Sequence, residues 1–418
     1  MRDLLLHSSE SESIESIIYS RREMLLRSCA VAVTLMTSNL SASITKKSKK
    51  ISGDKFGNYD FGLDEVKEQR ALRLHQESIV IDMVQQGIGG YRVFNEPHLK
   101  DLQRANKDYM SLDAIYSEDI LDRKNVMRGR WRDSGITVGC VGDITAYGPL
   151  AENLSWLSIS TSSSEIYQAQ KSNGHTVIEY HQPTGGLPRD IRVLEKAYLK
   201  GRRVQSITYN LSDFVGSGCT ERVDHGLTYY GIEVVKKCNE LGMIVDLSHT
   251  GALTTYDTCK ISKSPVIANH TGSEIVYNHQ RNKSDKELRA IADTGGIIGV
   301  YAVPFFLTDH PKANINHMLN HIDYIVNLVG WEHVGIGTDW VNTGAKDYIE
   351  SIFGIEAQAS IGFRPEHNIN TRQNLIGFDD ARDFPNITRG LVARGYSDKE
   401  IKGILGENFL RVFKAICG

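Results

Sequence analysis

A (β/α)8 barrel is the fold that this sequence predicts, and three observations predict it. Eight short runs rich in Val and Ile recur between residues 78 and 339. Each run is continuous rather than alternating, as strands covered on both faces of a parallel sheet are. Stretches with helical apolar spacing lie between the runs, and repeated strand–helix alternation in one chain favours a closed barrel over an open doubly wound sheet. The dinucleotide-binding form of the open sheet also lacks its usual mark, because no G-x-G-x-x-G follows the first run.

In chain order, residues 1–50 stand apart from the barrel. "YSRREMLLRSCAVAVTLMTSNLSAS" pairs Arg21 with Arg22, continues through a weakly apolar stretch, and ends in small residues before "KKSKK". The S-R-R-x-M-L pattern resembles a twin-arginine export signal, so a periplasmic protein is expected, with residues 1–50 removed or disordered. Residues 51–418 are expected to form a single barrel domain. Its strands are predicted at "SIVIDMV" (78–84), "GITVGCVGDIT" (135–145), "TVIEY" (176–180) and "VQSITYN" (204–210). The second half supplies "MIVDLSH" (243–249), "PVIANH" (265–270), "GGIIGVYAV" (295–303) and "HVGIGTD" (333–339).

The helices between them carry their own signals. In "GLTYYGIEVVKKCNELG", Ile232, Val235, Cys238 and Leu241 share one side, and Gly242 provides a stop. "SDKELRAIADTGG" opens on Ser284 as an N-cap and closes on glycines. "INHMLNHIDYIVNLVG" follows the same scheme, and "SDKEIKGILGENFLRVFKAI" predicts a final helix or helix pair packed on the outside. The long polar insertion at 341–380 predicts a functional loop, with a lid as one possible role, rather than a second domain.

Composition narrows the partners. The 418 residues, 40% hydrophobic and 24% charged, are enough for a large core. A net charge of -3 with scattered signs gives no electrostatic footprint for nucleic acid or an anionic membrane. No segment after residue 50 approaches the ~20 apolar residues of a membrane span. A small-molecule or peptide partner is therefore expected. Beyond Cys29, the five cysteines (Cys140, Cys219, Cys238, Cys259 and Cys417) contain no C-x-x-C pair and predict neither a metal finger nor a disulfide framework. Cys219, in a Gly-rich loop, is the candidate exposed thiol.

In a barrel of this kind the chemistry gathers where the strands end, because the βα loops converge there on one mouth. The residues closing the predicted strands are Glu179, Tyr209, His249, His270 and Asp339, with Arg281 in the loop after His270. Two imidazoles and two carboxylates are the borderline nitrogen and oxygen donors of a hydrolytic zinc site, with one position open for water. The 21-residue step from His249 to His270 is what one helix and one short strand occupy, so both rings rise from neighbouring strands.

These residues sit in a pattern that resembles the membrane dipeptidase family, peptidase family M19, of the amidohydrolase superfamily. "GLTYYGIEVVKKCNELGMIVDLSHTG", "PVIANHTGS", "HQRNKSDKELRAIADTGGIIGV", "VGIGTDW" and "ILGENFLRVF" match it in order, over roughly residues 75–418. The resemblance implies a TIM-barrel metallohydrolase that cleaves dipeptides, and it implies dimers. It makes Glu179 the metal-bridging carboxylate, His249 and His270 the other ligands of one zinc, and Asp339 a metal-site residue beside the nucleophilic water. Arg281 becomes the clamp for a substrate carboxylate, matching its planar donor fork. Tyr209, followed by Asn210, stands where the family carries a histidine near the fourth strand end; both are candidate substrate-binding residues, and Tyr209 can donate to an oxyanion.

The sequence departs from the family at the first strand. Family members carry H-x-D there, whereas Val84 and Gln86 occupy those positions here. A hydrocarbon cannot ligate and an amide is a poor substitute for a carboxylate, so one zinc per chain is expected. Val341 likewise replaces a second aspartate beyond Asp339. The leading expectation is a zinc-dependent hydrolase of dipeptides or related small amides with a free carboxylate. One alternative is a periplasmic maturation enzyme for a peptide-derived metabolite such as a siderophore. Another is a barrel that has lost catalysis and only binds.

Overall fold

All eight apolar runs form strands in the computed structural model, which describes residues 57–85, 133–142, 147–339, 355–370, 373–379 and 381–418. The first four are β1 (Ile81–Asp82), β2 (Val138–Val141), β4 (His175–His181) and β5 (Val204–Ser206). The others are β6 (Ile244–Asp246), β7 (Ile267–Thr271), β8 (Ile297–Val300) and β9 (Val334–Ile336). An additional strand, β3 (Leu157–Ile159), pairs with the start of β4 off the main ring, and its short "LSI" carries too little pattern to be recognised in the sequence. The ring runs β1-β2-β4-β5-β6-β7-β8-β9 with parallel pairing throughout.

Backbone and side-chain bonds close the seam between β1 and β9. Met83 N–H donates to Ile336 O at 2.9 Å and Asp339 N–H to Val84 O at 3.0 Å. The buried Asp82 carboxylate accepts from the N–H and the hydroxyl of Thr338, both at 2.7 Å. Gly337 is required at this seam, because a Cβ there would lie 1.8 Å from the carbonyl oxygen of Asn269.

Side chains alternate between two environments along each strand. Ile81, Val138, Ile178, Tyr180, Val204, Ile244, Ile267 and Ile297 fill the barrel interior. Their neighbours Val80, Val141, Val177, Val245, Ala268 and Ile298 face the surrounding helices. That outer layer includes α1 (Glu65–Glu77), α2 (Ser163–Lys171), α3 (Arg192–Leu199), α4 (Tyr229–Leu241), α5 (Ala252–Ile261), α6 (Asp285–Asp293), α7 (Ile315–Val329) and α8 (Phe384–Ala393). The predicted stops and caps are present: α4 ends on Gly242 at φ 76°, and Ser284 and Glu287 form a capping box at α6.

The C-terminal stretch is a helix pair, but its last member does not pack on the outside as expected. In α9 (Asn408–Cys417), Phe409, Leu410, Val412 and Phe413 join the interior cluster of Ile81, Ile178, Ile244 and Ile267. Arg411 donates to Gly295 O and Cys417 Sγ to Gly242 O, just before β8 and β6, so α9 plugs the floor of the barrel. Strands of two to seven residues are too short to fill that floor with their own side chains.

Residues 1–50 and Gln86 lie outside the described residues. No helix among the described residues is long and apolar enough to cross a membrane.

Candidate active site

His249 follows β6 and His270 lies within β7, and different local features aim them at one point. In a regular strand His270 would share the outward face of Ala268. The register of β7 slips between Ala268 and Thr271, and this irregularity turns the His270 ring inward. The Nε2 atoms of the two rings lie 2.9 Å apart.

The other ring nitrogens determine the tautomers. His249 Nδ1–H donates to Asn210 Oδ1 at 2.7 Å, and Asn210 Nδ2 donates to Ile361 O, which orients its amide. His270 Nδ1–H donates to Asn269 Oδ1 at 2.5 Å, while Asn269 Nδ2 faces Met83 O. Burial above all, then the neighbouring Arg281 cation, holds both histidines well below the usual imidazole range. Both rings are therefore neutral, each with its proton on Nδ1 and a lone pair on Nε2.

Gln182 stands beside both lone pairs. Its Nε2 lies 2.7 Å from His249 Nε2 and 3.2 Å from His270 Nε2. Glu179 does not join them. It shares the outward parity of Val177, and its carboxylate accepts from Arg202 Nε at 2.9 Å. The expectation of Glu179 as bridging ligand is corrected accordingly: successive strand residues face opposite sides, and Gln182 continues the inward series of Ile178 and Tyr180.

Asp339 lies just beyond β9 at φ 45°, a left-handed conformation that Asp adopts more readily than most residues. Its Oδ2 lies 3.9 Å from His270 Nε2. Arg281 is 1% exposed; its guanidinium donates to Ser248 O and lies 3.2 Å from His249 Nε2, while its Nε has no hydrogen-bond partner among the described residues. The Tyr209 ring stacks on His249 with centroids 4.2 Å apart, and burial raises its phenol pKa.

Beneath the rings lies a buried polar layer that sequence reasoning missed. Asp246 accepts from Ser206 Oγ, Ser248 Oγ and Asn269 N–H, and Ser248 Oγ in turn accepts from His270 N–H. The available signal was a carboxylate inside an otherwise apolar run three residues before a histidine. Residues 355–370 of the insertion pack over the same loops: Ile361 receives Asn210, and His367 O receives the Nε2–H of His279, whose Nδ1 accepts from Arg281 N–H.

These donors are of the kind that can hold a divalent ion. Two imidazole lone pairs converge, with Gln182 and Asp339 alongside. The position of the expected first-site histidine is Val84, fully buried in the interior cluster. Among the described residues, no three His, Cys, Asp or Glu side chains are placed to hold an ion by themselves. A neutral amide or a movement of Asp339 has to complete the set.

The membrane dipeptidase family (peptidase family M19) matches the chain over residues 144–350 and 345–417. The chain belongs to that family. Membership makes it a hydrolase of the dipeptidase type within a family of metallopeptidases. An amidohydrolase from Pseudomonas aeruginosa is 27% identical with a TM-score of 0.66, covering 83% of this chain and 98% of that one. The probable dipeptidase PvdM from Pseudomonas aeruginosa has a TM-score of 0.64 at 16% identity, over 85% of this chain and 99% of that one. A metallo peptidase from Rhodobacter sphaeroides, liganded with a phosphinate mimic of the dipeptide L-Ala-D-Ala, has a TM-score of 0.62 at 16% identity, over 81% and 100%. The last two likenesses show the shared barrel fold.

Proposed function

We propose that the chain hydrolyses dipeptides or related small amides with a free carboxylate, using one zinc ion. The observation that carries this is the pair of neutral Nε2 atoms 2.9 Å apart, with the Asp339 carboxylate across from them and the Arg281 guanidinium beside them. His249 and His270 would hold the ion, with Gln182 and Asp339 as the remaining donors. When bound, such an ion polarises the scissile carbonyl and acidifies water toward neutrality.

The chain's own residues supply the rest. Asp339 takes a proton from the attacking water and passes it to the leaving amine. Arg281 receives the substrate carboxylate through its planar donor fork. Tyr209 keeps its proton because burial raises its pKa, so its hydroxyl can donate to the developing oxyanion.

Metal analysis of protein purified without chelator, combined with a dipeptide turnover assay, tests this reading. It expects about one zinc per chain, and loss of both zinc and turnover in His270→Ala. Absence of zinc from active wild-type protein overturns it, and binding that survives His270→Ala without turnover points to a non-catalytic barrel. A second reading, maturation of a peptide-derived metabolite such as a siderophore, is favoured by the export-like pattern around Arg21 and Arg22. Efficient turnover of ordinary L- and D-terminated dipeptides argues against it.

A further inference from the structure

We propose that Gln182 is a switchable ligand that sets how tightly this chain holds its divalent ion. The proposal rests on the single-ion reading above. With both Nδ1 protons committed to asparagine oxygens, the two Nε2 lone pairs face each other at 2.9 Å. Facing lone pairs need donors beside them. Gln182 provides these: one amide N–H reaches His249 at 2.7 Å and the other reaches His270 at 3.2 Å. Arg281 Nη2 adds another donor to His249 at 3.2 Å.

A divalent ion occupying the same lone pairs must displace those hydrogens. A half-turn of the terminal amide of Gln182 then brings Oε1, a neutral ligand, to where its N–H groups stood. The ion-free state is thus hydrogen-bonded and competes with loading. A glutamate at this place would behave oppositely, because it has no N–H to cap the imidazoles and carries a charge that draws the ion in. Gln182 reaches this place through the inward register of β4, whereas the carboxylate three residues earlier is held outside by Arg202. The consequence is a reversible, nitrogen-rich site with Asp339 as its carboxylate, suited to zinc or copper and poorly suited to magnesium or calcium.

Competition of the apo protein with a chromophoric chelator for zinc tests the proposal, with folding of each variant checked by circular dichroism. Gln182→Glu should bind zinc at least about 100-fold more tightly than wild type, since a full charge is added a few ångströms from the ion. Glu179→Gln should match wild type. Wild type and Gln182→Glu binding equally well overturns the proposal while leaving the single-ion reading intact. No binding by either wild type or Gln182→Glu removes both.

Discussion

Lowering the pH from 8 to 5 should destabilise the fold, by about 5 kcal/mol through four histidines and one aspartate alone, and the cause is that these histidines are held neutral by burial. Burial is the leading reason that His75, His181, His279 and His321 are held at about 4 in the folded chain, below the ordinary 6.5. In His75, His279 and His321 hydrogen bonds use both ring nitrogens of the neutral form. His75 lies 2.8 Å from both Thr388 Oγ1 and Ser134 O, and His321 accepts from Ser273 N–H while facing Leu307 O. The unfolded chain takes up protons at these groups from pH 6.5 downward, whereas the folded chain waits until about pH 4. Stability is therefore complete above 6.5 and is lost as the pH falls. At pH 5 each group contributes about 2 kcal/mol of destabilisation, or about 8 for the four.

Asp82 works in the opposite direction. Burial raises its carboxyl to about 7, so the folded state binds a proton before the unfolded state does. Acidification to pH 5 thus returns about 3 kcal/mol, which leaves the net loss near 5. That is a large share of the roughly 5–15 kcal/mol by which most domains are stable. Urea unfolding at pH 8, 6.5 and 5, followed by tryptophan fluorescence, reads it directly. A midpoint that stays constant or rises as the pH falls would refute the account of neutral buried histidines.

Two further substitutions separate chemistry from scaffold. Asp339→Asn should keep the fold and lower kcat for a cleaved dipeptide by about 10²–10⁴-fold, as removal of a general base does; undiminished turnover excludes that role. Gly337→Ala should destabilise the barrel by roughly 2 kcal/mol or more, because its Cβ collides with the Asn269 backbone at the seam; a melting temperature equal to wild type would show that the seam can shift.

Much of the barrel was legible because strand runs and helical spacing are local properties. The eight runs, their order and the caps at Gly242 and Ser284 follow from residues within one or two turns of each other. The convergence of His249, His270, Arg281 and Asp339 followed as well, since parallel strands of one barrel share a mouth. The inward face of each strand was not legible. Strands buried on both sides are apolar at every position, so Val177 and Ile178 are equally good core residues and nothing in "TVIEYHQ" favours Glu179 over Gln182.

The sequence by itself therefore determined the element order, the barrel class and the family, because hydrophobic periodicity and ordered motifs survive without coordinates. The tertiary structure decided the rest through contacts between distant residues. Pairing of β4 with its neighbours turned Gln182 inward and Glu179 toward Arg202, and the irregularity in β7 swung His270 into the mouth. Asn210 and Asn269 then placed the ring protons, and α9 closed the floor. Each of these depends on what a side chain meets across the barrel, which spacing along a single chain does not encode.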